Sequence, residues 1–102
     1  MDRITVYGSN TCPGTLAVLR ILTEHHYMPV FVNVTGSVGL LQEFIYIRDI
    51  DKSFDGVRGS GSIGFPLIKM PDGTYTREYR MVLEYLVIEA DYYFDLGTDK
   101  RI

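Results

Sequence analysis

The chain has 102 residues, of which 46% are hydrophobic, 13% aromatic and 23% charged, so it belongs with compact one-domain globules and is set apart from disordered chains. A formal net charge of −3, with ten scattered Lys and Arg, argues against a nucleic-acid partner. No stretch approaches the ~18 apolar residues of a membrane span, and the N-terminal MDRITVYG lacks the basic start and apolar run of a secretory leader, which makes the cytoplasm the expected compartment and leaves no membrane role.

Residues 3 to 7, RITVY, are β-branched and aromatic and stop at Gly8, which predicts a first strand. From Cys12 to about His26, Leu16, Leu19 and Leu22 recur at helical spacing with Val18 alongside, while Arg20 and Glu24 stand four apart on the opposite, wet face. Pro29 blocks further helix, and the alternating PVFVNV predicts a second strand ended by Thr35 and Gly36. Ser37 is placed to cap a second helix, VGLLQEFIYIRD, in which Val38, Leu41 and Ile45 form one apolar row and Leu40, Phe44 and Ile47 another. Two apolar rows predict a helix that is mostly covered.

Residues 51 to 64, DKSFDGVRGSGSIG, read as a long loop with an irregular turn near Phe54. PLIKM, the turn Pro71-Asp72-Gly73 and TYTRE predict a β-hairpin, and Tyr79, Val82, Leu83, Leu86 and Ala90 trace a last helical stripe. The order is β-α-β-α-β-β-α in a single domain spanning 1–102. A strand, a helix and a strand within about 30 residues form a βαβ unit, whose strands run parallel. Extended by the antiparallel hairpin, with helices on both faces, this is an α/β three-layer sandwich on a four-stranded mixed sheet, the thioredoxin-like architecture.

The chain's one cysteine, Cys12, falls between the first strand and the first helix, with Pro13 behind it. One cysteine makes neither an internal disulfide nor a multi-thiolate metal site, and its position therefore decides its role. In the first turn of a helix a thiol meets unpaired N–H groups and the positive end of the dipole, which favour thiolate. Thr11 is the expected cap, and Pro13 is tolerated because early helical positions have no acceptor for their N–H. A second feature is Phe65-Pro66 at the start of the third strand, a position where proline fits a sheet.

Cys12-Pro13 after ITVYG, with Gly64-Phe65-Pro66 ahead of LIKM, resembles the glutaredoxin family across roughly residues 3 to 90. The run YIRD at 46 to 49, Phe54-Asp55, and Gly61-Ser62-Ile63-Gly64-Phe65-Pro66 is similar to a bacterial glutaredoxin-related branch. The resemblance implies that Cys12 is the catalytic nucleophile and Pro66 is cis and close to it. It implies that Thr11, Pro13, Thr15, Phe65 and Pro66 form the glutathione or substrate cleft, and that the backbone of Phe65 pairs with an extended cysteinyl segment as in strand addition. The implied partner is glutathione or a glutathionylated protein, with glutathione as co-substrate and no permanently bound cofactor.

Departures narrow the chemistry. The two-thiol form of the family has C-P-x-C, whereas Thr15 stands at the resolving position here, so catalysis through Cys12 is monothiol. Ser9 stands where the family often has a basic residue, and YTRE at 75 to 78 corresponds only loosely to the family's Gly-Gly and paired acidic residues. Two other uses of the fold stay open: a [2Fe–2S] cluster held across a dimer, although Cys-Pro-Gly-Thr is not the Cys-Gly-Phe-Ser of that class, and a binding module without redox turnover.

Other signals weigh less. Gly59-Ser60-Gly61-Ser62-Ile63-Gly64 matches a dinucleotide-binding fingerprint in letters, yet a loop precedes it and a strand follows, the wrong context for a pyrophosphate site. His25 and His26 end the first helix, and with one Cys they leave no ligand set for a metal. Asp49, Asp51 and Asp55 lack the spacing of a calcium loop and read as surface charge. Tyr79, Tyr85, Tyr92, Tyr93 and Phe94 read as core and C-terminal packing, with a homodimer or partner surface as the alternative.

Overall fold

The computed structural model describes residues 3–86; Ala90, Tyr92, Tyr93 and Phe94 lie outside the described residues. Strand β1 (Thr5–Gly8) occupies an inner place in a four-stranded mixed sheet. It pairs in parallel with β2 (Val30–Asn33), Val6 opposite Phe31, and antiparallel with β3 (Leu67–Lys69), Val6 opposite Ile68. Strand β4 (Tyr75–Thr76) completes the order β2-β1-β3-β4.

The period-2 geometry of the inner strands divides the core in two. Ile4 and Val6 of the first strand region and Ile68 of β3 face Val18 and Leu22 of helix α1 (Pro13–Glu24), together with Val82 and Leu86 of a last helix, α3, helical over 79–86. Tyr7 and Leu67 face the other way, onto Phe44 and Ile47 of helix α2 (Val38–Ile50) and onto Val34, Phe54 and Val57. The result is a mixed α/β sheet with helices on both faces. No described helix is long and apolar enough to cross a membrane.

The order of elements differs from the expected one by two interposed 3-10 turns. Val34–Gly36 carries Val34 from the end of β2 into the core, and Lys52–Phe54 folds the fully buried Phe54 under α2. Asp51 makes the second turn possible by accepting hydrogen bonds from the Ser53 N–H at 3.0 Å and the Ser53 hydroxyl at 2.6 Å.

Three expected faces are corrected. In α1 the buried residues are Thr15, Val18 and Leu22, whereas Leu16 is exposed: the covered stripe is centred on 15, 18 and 22, one position from the leucine stripe, so that the small Thr15 packs against Gly8 at the end of β1. In α3, Val82 and Leu86 are buried and Tyr79 is exposed. In α2 only Phe44 and Ile47 are buried, and the row Val38, Leu41 and Ile45 is 71%, 38% and 44% exposed. Ser37 caps that helix as expected, accepting from the Leu40 N–H at 3.1 Å, but the sheet covers one of its two apolar rows and leaves the other outside.

Residues 51–66 form a pinned loop. The Arg58 guanidinium reaches back to the carbonyls of Arg48 at 2.6 Å and Asp51 at 3.1 Å, filling acceptors at the C-terminal end of α2, and also pairs with Asp55. At the far end of the loop, three consecutive carbonyls accept from arginines. Arg48 donates to Ser62 at 2.9 Å and Ile63 at 3.1 Å, and Arg77 donates to Gly64 at 3.0 Å while lying over the Phe54 ring. The histidines close α1: His25 is its C-cap, with Nδ1 at 2.9 Å from the Ile21 carbonyl, and His26 takes φ of 59° to turn the chain.

Candidate functional site

The site grows from the end of β1. Gly8 ends the strand, and Ser9 starts a turn in which the Cys12 N–H returns to the Ser9 carbonyl at 3.0 Å. Cys12 itself, extended at φ −97° and ψ 119°, is the N-cap of α1, with Pro13 at the first helical position. The Thr11 expected as cap does not cap. It is exposed, and its hydroxyl lies 2.9 Å from Ser9 Oγ, to which its N–H also donates at 3.2 Å. The N-cap position thus passes to Cys12, whose sulfur faces the first N–H groups of the helix, those of Gly14 and Thr15.

Cys12 is a free thiol of intermediate exposure. Burial pushes the thiol up, but the Thr15 hydroxyl and the N–H groups of Thr15 and Gly14 outweigh it, so Cys12 titrates below its ordinary range. Thr15 is wholly buried, and its Oγ1 accepts from the Ser9 N–H at 3.3 Å. With that acceptor position filled, the hydroxyl proton is left for the sulfur. Thr15 therefore stands between the end of β1 and the thiol.

The second wall is the segment Phe65-Pro66. The bond is cis, and a Cβ built on Gly14 would lie 3.5 Å from Pro66 Cδ and 3.9 Å from Cys12 Sγ, which brings proline, sulfur and the first turn of α1 around one point. Phe65 packs against Phe44 with ring centroids 4.9 Å apart. Cys12, Pro13, Thr15, Phe65 and Pro66 are thus gathered by β1, the first turn of α1 and the entry to β3. Thr11 sits at the rim, on the outer side of Ser9.

Two sets of contacts join this site that sequence reasoning did not foresee. The buried Ser9 hydroxyl lies 3.1 Å from Thr35 Oγ1, which donates to Asn33 Oδ1 at 3.2 Å, so a chain of hydroxyls ties the loop after β1 to the loop after β2. Because Thr35 uses its proton on Asn33, Ser9 donates to Thr35 and accepts from Thr11. The only advance signal is the recurrence of Ser and Thr where two strands end. The arginine clamp on the carbonyls of 62 to 64 fixes the approach to Pro66, and no local pattern announces it. Among the described residues no group of three His, Cys, Asp or Glu side chains gathers in one place.

A protein of Haemophilus influenzae, named as an uncharacterized protein, is 27% identical to this chain over 73 residues, which is 72% of this chain and 85% of that protein. No family model and no solved structure matches the chain.

Proposed function

We propose that the chain is a thioredoxin-like domain of glutaredoxin type that carries out monothiol thiol-disulfide exchange through Cys12. The sheet order β2-β1-β3-β4, with β1 and β2 parallel and β3 antiparallel to β1, supports that reading of the fold. The observation that carries the chemistry is the sulfur itself: a free, partly exposed thiol at the N-cap of a helix, lowered in pKa by Thr15 and Gly14, beside a cis proline.

The Cys12 thiolate attacks one sulfur of a mixed disulfide between glutathione and a protein thiol. A bond forms between Cys12 and the glutathionyl sulfur, the substrate disulfide breaks, and the protein thiolate leaves and takes a proton from solvent. A second glutathione thiolate then attacks the adduct, forms glutathione disulfide and returns Cys12 as thiolate. The reducing equivalents come from the second, free glutathione; the first, delivered as the substrate's modifying group, is already at the disulfide level and ends as the other half of glutathione disulfide. Thr15 holds the thiolate through its hydroxyl in both steps, and the backbone at Phe65 receives the cysteinyl segment by strand-like pairing.

The test is glutathione-dependent reduction of a glutathionylated peptide by wild type beside Cys12→Ser, with intact mass recorded in parallel. Turnover together with a glutathione adduct on Cys12, both absent from the serine variant, is the expected result. Equal rates for the two proteins and no adduct would sink the proposal.

A further inference from the structure

The core leaves the Val38, Leu41 and Ile45 row of α2 in solvent. Leu41 and Ile45 share a groove of about 370 Å³ with Phe44, Ile63, Phe65 and Thr35. Ile63 adds to the apolar wall, being 60% exposed. Two of the groove's lining residues connect to the thiol site: Phe65 precedes Pro66 in the chain, and Thr35 is hydrogen-bonded to Ser9, whose carbonyl holds the Cys12 N–H. A solvated helix face normally carries polar residues, and an apolar row left open marks a docking surface more often than a random one.

Charge narrows the occupant. Of the residues lining the groove only Arg48 is charged, and none is acidic. Its guanidinium spends two donors on the carbonyls of Ser62 and Ile63 and makes no ion pair among the described residues, so no described carboxylate offsets the one cation that lines the groove. The clamp that positions the loop also leaves a cation facing whatever binds there. An apolar strip with one fixed guanidinium complements a chain segment with bulky aliphatic or aromatic side chains followed by a carboxylate.

We infer that the α2 row and Ile63 form a docking surface for a protein substrate, which presents an apolar, acidic segment beside the cysteine that Cys12 attacks. This rests on the thiol-exchange reading and adds the substrate class. The surface selects among proteins, and a small disulfide reaches Cys12 without it.

The experiment compares three thionitrobenzoate mixed disulfides in single turnover: a cysteine peptide flanked by Leu, Phe and Glu, a peptide of equal length flanked by Ser and Lys, and glutathione. Attack of the Cys12 thiolate on the peptide sulfur forms the Cys12-peptide disulfide and breaks the bond to thionitrobenzoate, which leaves as a coloured thiolate; intact mass identifies the adduct. The expected result is that wild type prefers the apolar, acidic peptide by about tenfold. Leu41→Ser with Ile45→Ser, at positions already exposed, should bring that ratio near one and leave the glutathione reaction unchanged. Equal peptide rates in wild type, or equal loss on all three substrates in the variant, overturn the docking surface while the thiol chemistry stands. No adduct from any substrate removes the thiol reading and this inference together. Sedimentation of both proteins supplies the remaining outcome: a wild-type dimer that the double variant dissolves gives the face to a second copy and overturns the inference.

Discussion

Gly8 and Thr15 compete for the same space: a methyl group on Gly8 would lie 2.2 Å from Thr15 Oγ1 and 2.7 Å from its Cγ2. The last residue of β1 is a glycine because a buried threonine in the first turn of α1 packs directly on it. Gly8→Ala should therefore destabilise the fold by about 1–3 kcal/mol, the usual range for overpacking a filled core. Shortening the partner should offset part of the cost, so Gly8→Ala in a Thr15→Ala background is expected to cost clearly less than in wild type. A denaturant double-mutant cycle measures this coupling, and additive effects would show that the two residues do not share the space.

Thr15 also controls the thiol. Removing its hydroxyl at nearly constant shape, as in Thr15→Val, takes one hydrogen bond from the Cys12 sulfur and leaves the Ser9 N–H without its acceptor. The Cys12 pKa is held below its ordinary value in wild type, so alkylation by iodoacetamide falls as pH drops through that lowered value. The variant's midpoint should move to higher pH, with slower alkylation at neutral pH and a stability loss of about 1–2 kcal/mol. Thr15→Ser keeps the hydroxyl and should keep the wild-type midpoint. Coincident pH profiles for threonine and valine would remove the hydroxyl from the account.

The contrast between Thr15 and Arg48 shows what a sequence exposes. A strand that stops at Gly8 and a helix that begins with Cys12-Pro13 are local patterns, so the site's place at the end of β1 was readable in advance, as were the parallel pair, the hairpin and the Ser37 cap. The identity of the N-cap was misread, since Thr11 has the better capping side chain and only the backbone turn from Ser9 to Cys12 selects the cysteine. Periodicity shows which residues of α2 share a face, but the width of the sheet beneath decides how many rows are covered. That width is a tertiary fact, and Leu41 and Ile45 were placed in the core on the strength of spacing alone. The arginine bonds to carbonyls 62 to 64 join residues 13 to 15 positions apart through backbone acceptors that every sequence possesses.

Tyr7 gives the protein an alkaline limit. Burial, the neighbouring Glu43 and Tyr75, and a hydrogen bond to Glu43 push its phenol up to about 12. Between the ordinary tyrosine value near 10 and that value, the unfolded chain releases a proton that the folded chain keeps, so stability is intact below about pH 10 and falls as pH rises through the window. At about 1.4 kcal/mol per pH unit across the window the loss reaches about 2 kcal/mol by pH 12, where the folded phenol is itself half ionised. Tyr7→Phe should flatten that part of the stability curve relative to wild type. Denaturant melts from pH 9 to 12 provide the measurement, and parallel curves for the two proteins would assign the alkaline loss to other groups.

The approach to Pro66 depends on Arg77 and Gly64 acting together. Gly64 takes φ of +99°, and a Cβ there would lie 2.6 Å from Phe54 Cε1, so the chain passes the Phe54 ring only as glycine, with its carbonyl held by Arg77. Gly64→Ala meets both a disfavoured backbone and a ring, and should cost about 2 kcal/mol or more. Arg77→Ala is the milder probe: it removes the bond to the Gly64 carbonyl and the guanidinium over Phe54, for about 1 kcal/mol, and leaves the backbone unstrained. Its effect on chemistry should be selective. Alkylation of Cys12 by a small reagent stays near the wild-type rate, because the thiol's own partners are Thr15 and Gly14. Exchange with a peptide disulfide, which the proposed function places along Phe65, should slow severalfold as residues 62 to 64 lose one of the two arginines that hold their carbonyls. Amide hydrogen exchange over 61–65 separates loosening from misfolding: faster exchange confined to this loop accompanies the predicted loss, and unchanged protection there with normal peptide exchange would show that Arg48 alone holds the segment.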